Sequence, residues 1–270
     1  IEIKDGGSSL IRVTDNGCGI PKDQIQRAFL RHATSKISSI EDLEKTVSLG
    51  FRGEALSSIA AVSEVEVITK TKEELTGIRF CIVGGQGEEP EEIGAPNGTT
   101  FLVRNLFFNT PARKKFLKQP QTEGGYVADM MEHLALSHPD ISVKFIANGQ
   151  LRFHTSGNGD LKEIIYRIYG RGSADCLIPF SLEEETFSVK GYLGRPELNR
   201  SNRNFETTYV NGRYVRNDTL IRAMEEGYRA YLMQHKFPFF VLHFSIDPSA
   251  IDVNVHPSKM EIRLHGAVNI

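Results

Sequence analysis

"VTDNGCGI", residues 13–20, ends an apolar strand on Asp15 and follows it with two glycines, Gly17 and Gly19, one residue apart. A strand running into Asp-Asn-Gly reads first as a hairpin, because these pairs are the commonest tight-turn chemistry. Whether the glycines close a turn or serve something else depends on the stretches around them.

Residues 1–14 read as a β-hairpin with Asp5-Gly6-Gly7 as its turn and Ile1, Ile3, Leu10, Ile11 and Val13 as its apolar positions. The chain opens in this strand without a methionine, as a fragment cut inside a domain would. After Pro21, "KDQIQRAFLRH" places Ile25, Phe29 and Leu30 on one face of a predicted helix. "GEALSSIAAV" predicts a second helix, opened by Gly53 and Glu54. "EVEVITK", "TGIRFCIV" and "TTFLVRNL" then read as strands of one antiparallel sheet. The Gly- and Glu-rich residues 84–98 read as a solvated connection with no chemistry. An amphipathic segment, "EGGYVADMMEHLALSH", precedes a hairpin that turns at Asn148-Gly149. "TSGNGD", residues 155–160, is the best candidate linker. Beyond it the pattern resets to helix, strands, the helix "NDTLIRAMEEGYRAYLMQH", and the strands "FPFFVLHFSI" and "KMEIRL". Two domains are expected, 1–158 and 159–270.

Composition narrows the class. The 270 residues, 40% apolar and 24% charged, match a soluble globular protein with ample core. The net charge of −2 offers no global attraction to nucleic acid, so any such contact must be a local patch. Cys18, Cys81 and Cys176 are odd in number and lack a CxxC spacing, which points to a reducing compartment rather than a disulfide framework. No apolar run approaches the roughly 18 residues of a membrane span, and no signal peptide is visible.

No Walker loop, dinucleotide fingerprint or HExxH is present. His256, beside Pro257, reads as a structural residue rather than a ligand. Glycine-rich stretches beside alternating charge do recur: "DNGCGI", "RHATSK" (31–36), "LGFRGEAL" (49–56) and "NGTTF" (97–101). In "GFRGEAL", Gly50 and Gly53 precede a helix, where orphan N–H donors and the helix dipole favour an anion. A plain loop with an N-cap glycine fits those residues equally well.

Together with "GTTFLVRNLFFNTPAR" and "VNVHPSK", this set resembles the N-terminal ATPase region of the MutL family of DNA mismatch-repair proteins. Relatives of that family are the Bergerat-fold ATPases, among them gyrase and the histidine kinases. The resemblance covers nearly the whole chain. "DxGxG" indicates only the wider superfamily, whereas "GFRGEAL" with "FFNTPAR" is specific to MutL.

The resemblance answers the opening question. It implies that Asp15 accepts from the adenine amino group, a role that suits an acceptor-only carboxylate. Gly17 and Gly19 would let backbone approach the base, since a side chain at either would occupy nucleotide space. Thr34 and Lys36 would line the nucleotide site. Gly50, Phe51, Arg52, Gly53, Glu54 and Ala55 would form the lid that cradles the phosphates. Thr100 would lie near the adenine end beside Asp15. Lys259 would reach the γ-phosphate, where a compact positive charge opposes the charge of the transition state.

The implied fold is α+β: a Bergerat-type ATP-binding sandwich followed by a smaller ribosomal-protein-like domain. The implied activity is ATP hydrolysis with Mg²⁺, coupled to N-terminal dimerisation and to contacts with a mismatch-recognition protein of the MutS family, DNA and downstream repair enzymes. The expected location is a bacterial cytoplasm, with nucleoid association during repair. A non-hydrolysing ATP-dependent clamp and a topoisomerase subunit are the alternatives; "FFNTPAR" argues against the second. The family draws its water-activating glutamate and its Mg²⁺-binding asparagine from a helix ahead of the first strand. No residue near Ile1 replaces them, so the 270 residues alone are expected to be inactive.

For DNA, Arg200, Arg203, Arg213 and Arg216, with Arg113, Lys114 and Lys115, form clusters able to neutralise phosphates without reading sequence. A solvated arginine-rich loop is the competing reading. DNA binding is expected to be weak and salt-dependent.

Overall fold

The computed structural model describes residues 1–32, 53–248, 251–252 and 263–264, the last two pairs by backbone alone. The chain divides into two units, Ile1–Met130 with Lys144–Arg152, and Met131–Val143 with Phe153–Ile270.

In chain order the first elements are β1 (Glu2–Lys4), β2 (Leu10–Asp15), α1 (Ala55–Ala60), β3 (Glu64–Lys70) and β4 (Gly77–Val83). Then come β5 (Gln86–Gly87), β6 (Glu91–Ile93), β7 (Gly98–Arg104), α2 (Pro111–Lys114), α3 (Pro120–Ser137), β8 (Lys144–Ala147) and β9 (Gln150–His154). The strands form one mixed sheet in the order β5-β4-β3-β7-β2-β1-β8-β9, with β6 also against β4. β1 and β8 run parallel, and β4, β3, β7, β2 and β1 pair antiparallel in turn.

Period-two alternation decides which face is buried. Val65, Val67 and Thr69 of β3 share a face and are buried. Across β4 they meet Ile82, Phe80 and Ile78, and across β7 Val103, Phe101 and Thr99. The rows continue onto Ile11, Val13 and Asp15 of β2. Ile25 and Ala60 close over the apolar rows, with the Phe29 ring tilted against Phe80 at a centroid distance of 5.8 Å. Each such side chain, fully buried, contributes roughly 1.5–3 kcal/mol.

The expected helix after Pro21 is instead two 3₁₀ turns, Lys22–Gln24 and Arg27–Phe29. Its first turn is held from the side, since Lys22 Nζ donates to Thr76 and Glu92 and Lys22 N to Glu74. Leu30 then turns extended and is 59% exposed rather than packed with Ile25. The connection at 84–98 is also more ordered than expected, because it carries β5 and β6 along the edge of β4.

The second unit adds α4 (Leu161–Tyr169), α5 (Arg171–Asp175), β10 (Leu177–Glu183), β11 (Phe187–Gly194), β12 (Glu206–Val210), β13 (Arg213–Val215), α6 (Asp218–Tyr228) and β14 (Phe240–Ile246). Asp160 and Asn217 cap α4 and α6 by accepting from the second and third amides beyond them. The sheet order is β10-β11-β14-β12-β13, antiparallel except β12–β14. Val189, Val210, Val215, Leu220, Phe240 and Leu242 are central to its core. β15 (Ile251–Asp252) and β16 (Arg263–Leu264) pair with each other. α6 is shorter than the periodicity predicts: it stops at Tyr228, and the following residues form turns.

Candidate functional site

The apolar rows of the first sheet end in a polar one. At that end Thr69, Thr99 and Asp15 stand side by side on β3, β7 and β2. Asp15 Oδ1 accepts from Gly17 N at 2.8 Å and from Thr99 N at 3.3 Å. Among the described residues no donor reaches Oδ2, so this carboxylate is aimed by two amides and keeps one oxygen open.

The hydroxyls are ordered by the same logic. Thr69 Oγ1 accepts from Ile20 N at 2.8 Å and lies 3.1 Å from both Gly98 O and Thr99 Oγ1. Its single proton goes to the carbonyl, so Thr99 is left to donate to Thr69 and keeps lone pairs free. The row thus presents a carboxylate oxygen and a hydroxyl oxygen, both acceptors, at the rim of an apolar face. An exocyclic amine with adjoining flat apolar surface fits that arrangement.

Thr100 does not belong to it. It pairs with Thr14 and Ile68 on the opposite face of the sheet, where its hydroxyl meets Thr14 Oγ1 at 3.1 Å. The position expected of Thr100 is held by Thr99, one residue earlier, because successive strand side chains point to opposite faces.

The glycines also have a reason other than room for a ligand. A Cβ at Gly19, where φ is +76°, would stand 2.3 Å from Lys70 O. One at Gly98, at φ +110°, would stand 2.2 Å from Asp15 O. At Gly17 the first atom met is Asp15 Oδ1, at 2.9 Å. Gly19 and Gly98 thus let backbone pack on backbone, while Gly17 leaves room for the Asp15 carboxylate.

Of the expected lid, Gly53, Glu54 and Ala55 are described. Gly53 has φ +63°, Glu54 precedes the first turn of α1, and its Oε1 lies 3.3 Å from His32 Nδ1. Thr34, Lys36, Gly50, Phe51, Arg52 and Lys259 lie outside the described residues. "FFNTPAR" supplies anchors that sequence reasoning missed: Phe107 N donates to Val62 O at 2.7 Å and Asn109 Nδ2 to Ala61 O at 2.9 Å. They tie the end of α1 to the sheet, across a turn in which Asn105 and Phe107 take positive φ.

The arginine cluster of the second unit is mostly spent on the fold. Arg200 bridges to Phe237 through backbone, donates to Ser173 Oγ at 3.1 Å and lies over Phe205. Arg203 grips Glu225 in a two-pronged pair at 2.6 and 3.1 Å and covers Phe237. Arg213 is buried in β13. Arg203 and Arg216 are the exposed members of the four. Three of the four arginines expected at DNA therefore also have roles within the fold. Beside them Glu206 is buried, its Oε2 3.8 Å from Arg203 Nε. Burial, and then the Glu225 carboxylate, push its pKa up to about 8 against the pull of Arg203.

Comparison with known proteins settles the lineage. Residues 165–270 match the family model described as "DNA mismatch repair protein, C-terminal domain". The DNA mismatch repair protein MutL of Agathobacter rectalis is 59% identical over 263 residues, 97% of this chain and 40% of that protein. The chain belongs to the MutL family. It spans about two-fifths of that relative's length. Among solved structures, the N-terminal domain of a DNA repair protein superposes with a TM-score of 0.80 at 29% identity, covering 98% of this chain and 82% of that one. The MutL ATPase domain of Aquifex aeolicus, solved with ADP, gives 0.67 at 24% identity over 92% and 83% of the two chains, a likeness of fold. The α+β, two-sheet architecture expected of the family is the one observed. Among the described residues no helix is long and apolar enough to cross a membrane.

Proposed function

We propose that this chain is the ATP-binding part of a MutL-type mismatch-repair ATPase. The observation that carries the reading is the polar row at the end of the sheet, where Asp15 is fixed by two amides with its second oxygen open. Asp15 Oδ2 accepts from the adenine amino group, and Thr99 takes the neighbouring position that the family resemblance implied for Thr100. Guanine is rejected there because its carbonyl would face a carboxylate, acceptor against acceptor.

Gly53, Glu54 and Ala55, with Gly50, Phe51 and Arg52 ahead of them, form the phosphate-side lid, and Thr34 and Lys36 line the site. Lys259 brings a positive charge to the γ-phosphate. Mg²⁺, when bound with the nucleotide, would supply positive charge against the phosphates. Among the described residues no group of three or more His, Cys, Asp or Glu is placed to hold a metal, so no step is assigned to Mg²⁺ here. In the complete protein, lid closure on nucleotide drives N-terminal dimerisation and gates contacts with a MutS-type sensor, DNA and downstream enzymes.

The test is a pair of measurements on the full-length protein. Lys259→Ala should slow ATP turnover by about 10²-fold or more while leaving affinity for a fluorescent ADP analogue within about twofold. GDP should compete poorly for that analogue. Equal loss of ADP affinity, or free competition by GDP, would contradict the assignment.

A further inference from the structure

Away from the nucleotide row, the second unit holds a groove of about 590 Å³ between the end of α6 and the turns that follow it. Its floor is apolar, made by Leu232, Phe237 and Pro238. Its rim is cationic. Arg203 and Arg229 are neutralised there by Glu225 and Glu226. Arg222 and Lys236 line the same groove and have no acidic partner among the described residues.

The walls are fixed before anything binds. Tyr228 OH donates to Gly194 O at 2.7 Å, and the Phe237 backbone exchanges two hydrogen bonds with Arg200. Tyr231 N and Leu232 N close onto Tyr228 O, and Lys236 N onto Met233 O. Yet the tight turn leaves Tyr231 70% and Met233 83% exposed. Large apolar side chains at such exposure, beside unpaired cations, mark a surface built for contact.

Charge and shape together select the partner. A polyphosphate chain would meet Glu225 and Glu226 in the lining and the partly negative carbonyl end of α6. A short segment whose few carboxylates flank apolar side chains holds its charge at the rim, away from that repulsion. Its carboxylates reach Arg222 and Lys236 at the rim while the apolar group fills the floor, as in grooves that recognise linear motifs. We propose that this groove docks an acidic, apolar-anchored peptide segment of a protein partner.

The probe is a fluorescein-labelled peptide of sequence EDLFDEL, titrated by anisotropy against the 270-residue chain without nucleotide, so that the outcome is independent of the nucleotide reading. Saturable micromolar binding is expected, weakened at least about tenfold by Arg222→Glu with Lys236→Glu. Met233→Ser, at a site too exposed to unsettle the fold, should weaken it several-fold with an unchanged melting temperature. The peptide EDSSDES should not bind. Absence of saturable binding, equal binding of EDSSDES, indifference to the charge reversals, or tighter binding of oligothymidylate that displaces the peptide would each overturn the proposal.

Discussion

Asp15 and Thr99 face each other across β2 and β7, and the Thr99 amide donates to the same carboxylate oxygen that Gly17 N reaches. One oxygen of Asp15 is thus committed to the protein and the other is turned outward. The Thr99 hydroxyl, steered by Thr69, extends the acceptor row.

That register separates two adjacent threonines. Thr99→Val should lower affinity for ADP by about tenfold and cost about 1 kcal/mol of stability through the Thr69 network. Thr100→Val removes a hydroxyl pair on the other face and should leave affinity within about twofold. Isothermal titration of both variants decides it. A larger loss at Thr100 than at Thr99 would place the adenine row on the wrong face.

Gly19→Ala should destabilise the chain by about 2–4 kcal/mol in urea unfolding, because a methyl at positive φ would strike the Lys70 carbonyl. Gly149→Ala, equally left-handed but with open space around it, should cost only about 1 kcal/mol. Similar losses at both would mean that backbone strain alone, and not the close approach to β3, demands Gly19.

Glu206 sets the alkaline limb of stability. Its folded pKa lies near 8, above the ordinary carboxyl value, so the folded state holds a proton that the unfolded state has released. The benefit is complete below about pH 4.5 and is lost as pH rises through about 8. Glu206→Gln keeps the shape without the charge and should be more stable than the parent at pH 8.5, on the order of 2 kcal/mol. Parallel stability-versus-pH curves for the two proteins would refute a buried acid.

His243 acts at the other end. It is stacked on Tyr209 at 4.6 Å, with Nε2 buried and unpartnered, and burial lowers its pKa to about 4. Between that value and the ordinary 6.5 the unfolded chain binds the extra proton. Stability is therefore full above about pH 6.5 and drains as pH falls towards 4. His243→Phe preserves the stack and should flatten that acid limb by about 2 kcal/mol at pH 4.5. Chemical denaturation across pH 4–7 measures it, and an unflattened limb would assign the loss elsewhere.

What the sequence disclosed followed from short-range rules. "EVEVITK", "TGIRFCIV" and "TTFLVRNL" alternate with period two, so their strands and buried face were legible. Asn148-Gly149 adopts the left-handed pair its composition demands. The threonine assignment slipped by one because a motif names residues, whereas the face each one takes depends on pairing with a distant strand. The roles of the arginine cluster within the fold were hidden for a similar reason. Its charges are visible in the chain, but Glu225, which neutralises Arg203, is 22 residues away. Glu206 and His243 gave no signal at all, since burial is a property of the folded core.

The central claim is that Asp15 reads the base. Asp15→Asn tests it with little disturbance, because an asparagine Oδ1 can still accept from Gly17 and Thr99 while Nδ2 replaces the open acceptor with a donor. The measurement is the ADP dissociation constant of the variant beside its melting temperature. The expected result is an affinity loss of about 10- to 100-fold at a nearly unchanged melting temperature. ADP affinity equal to that of the parent, in a variant folded to the same degree, would contradict the account.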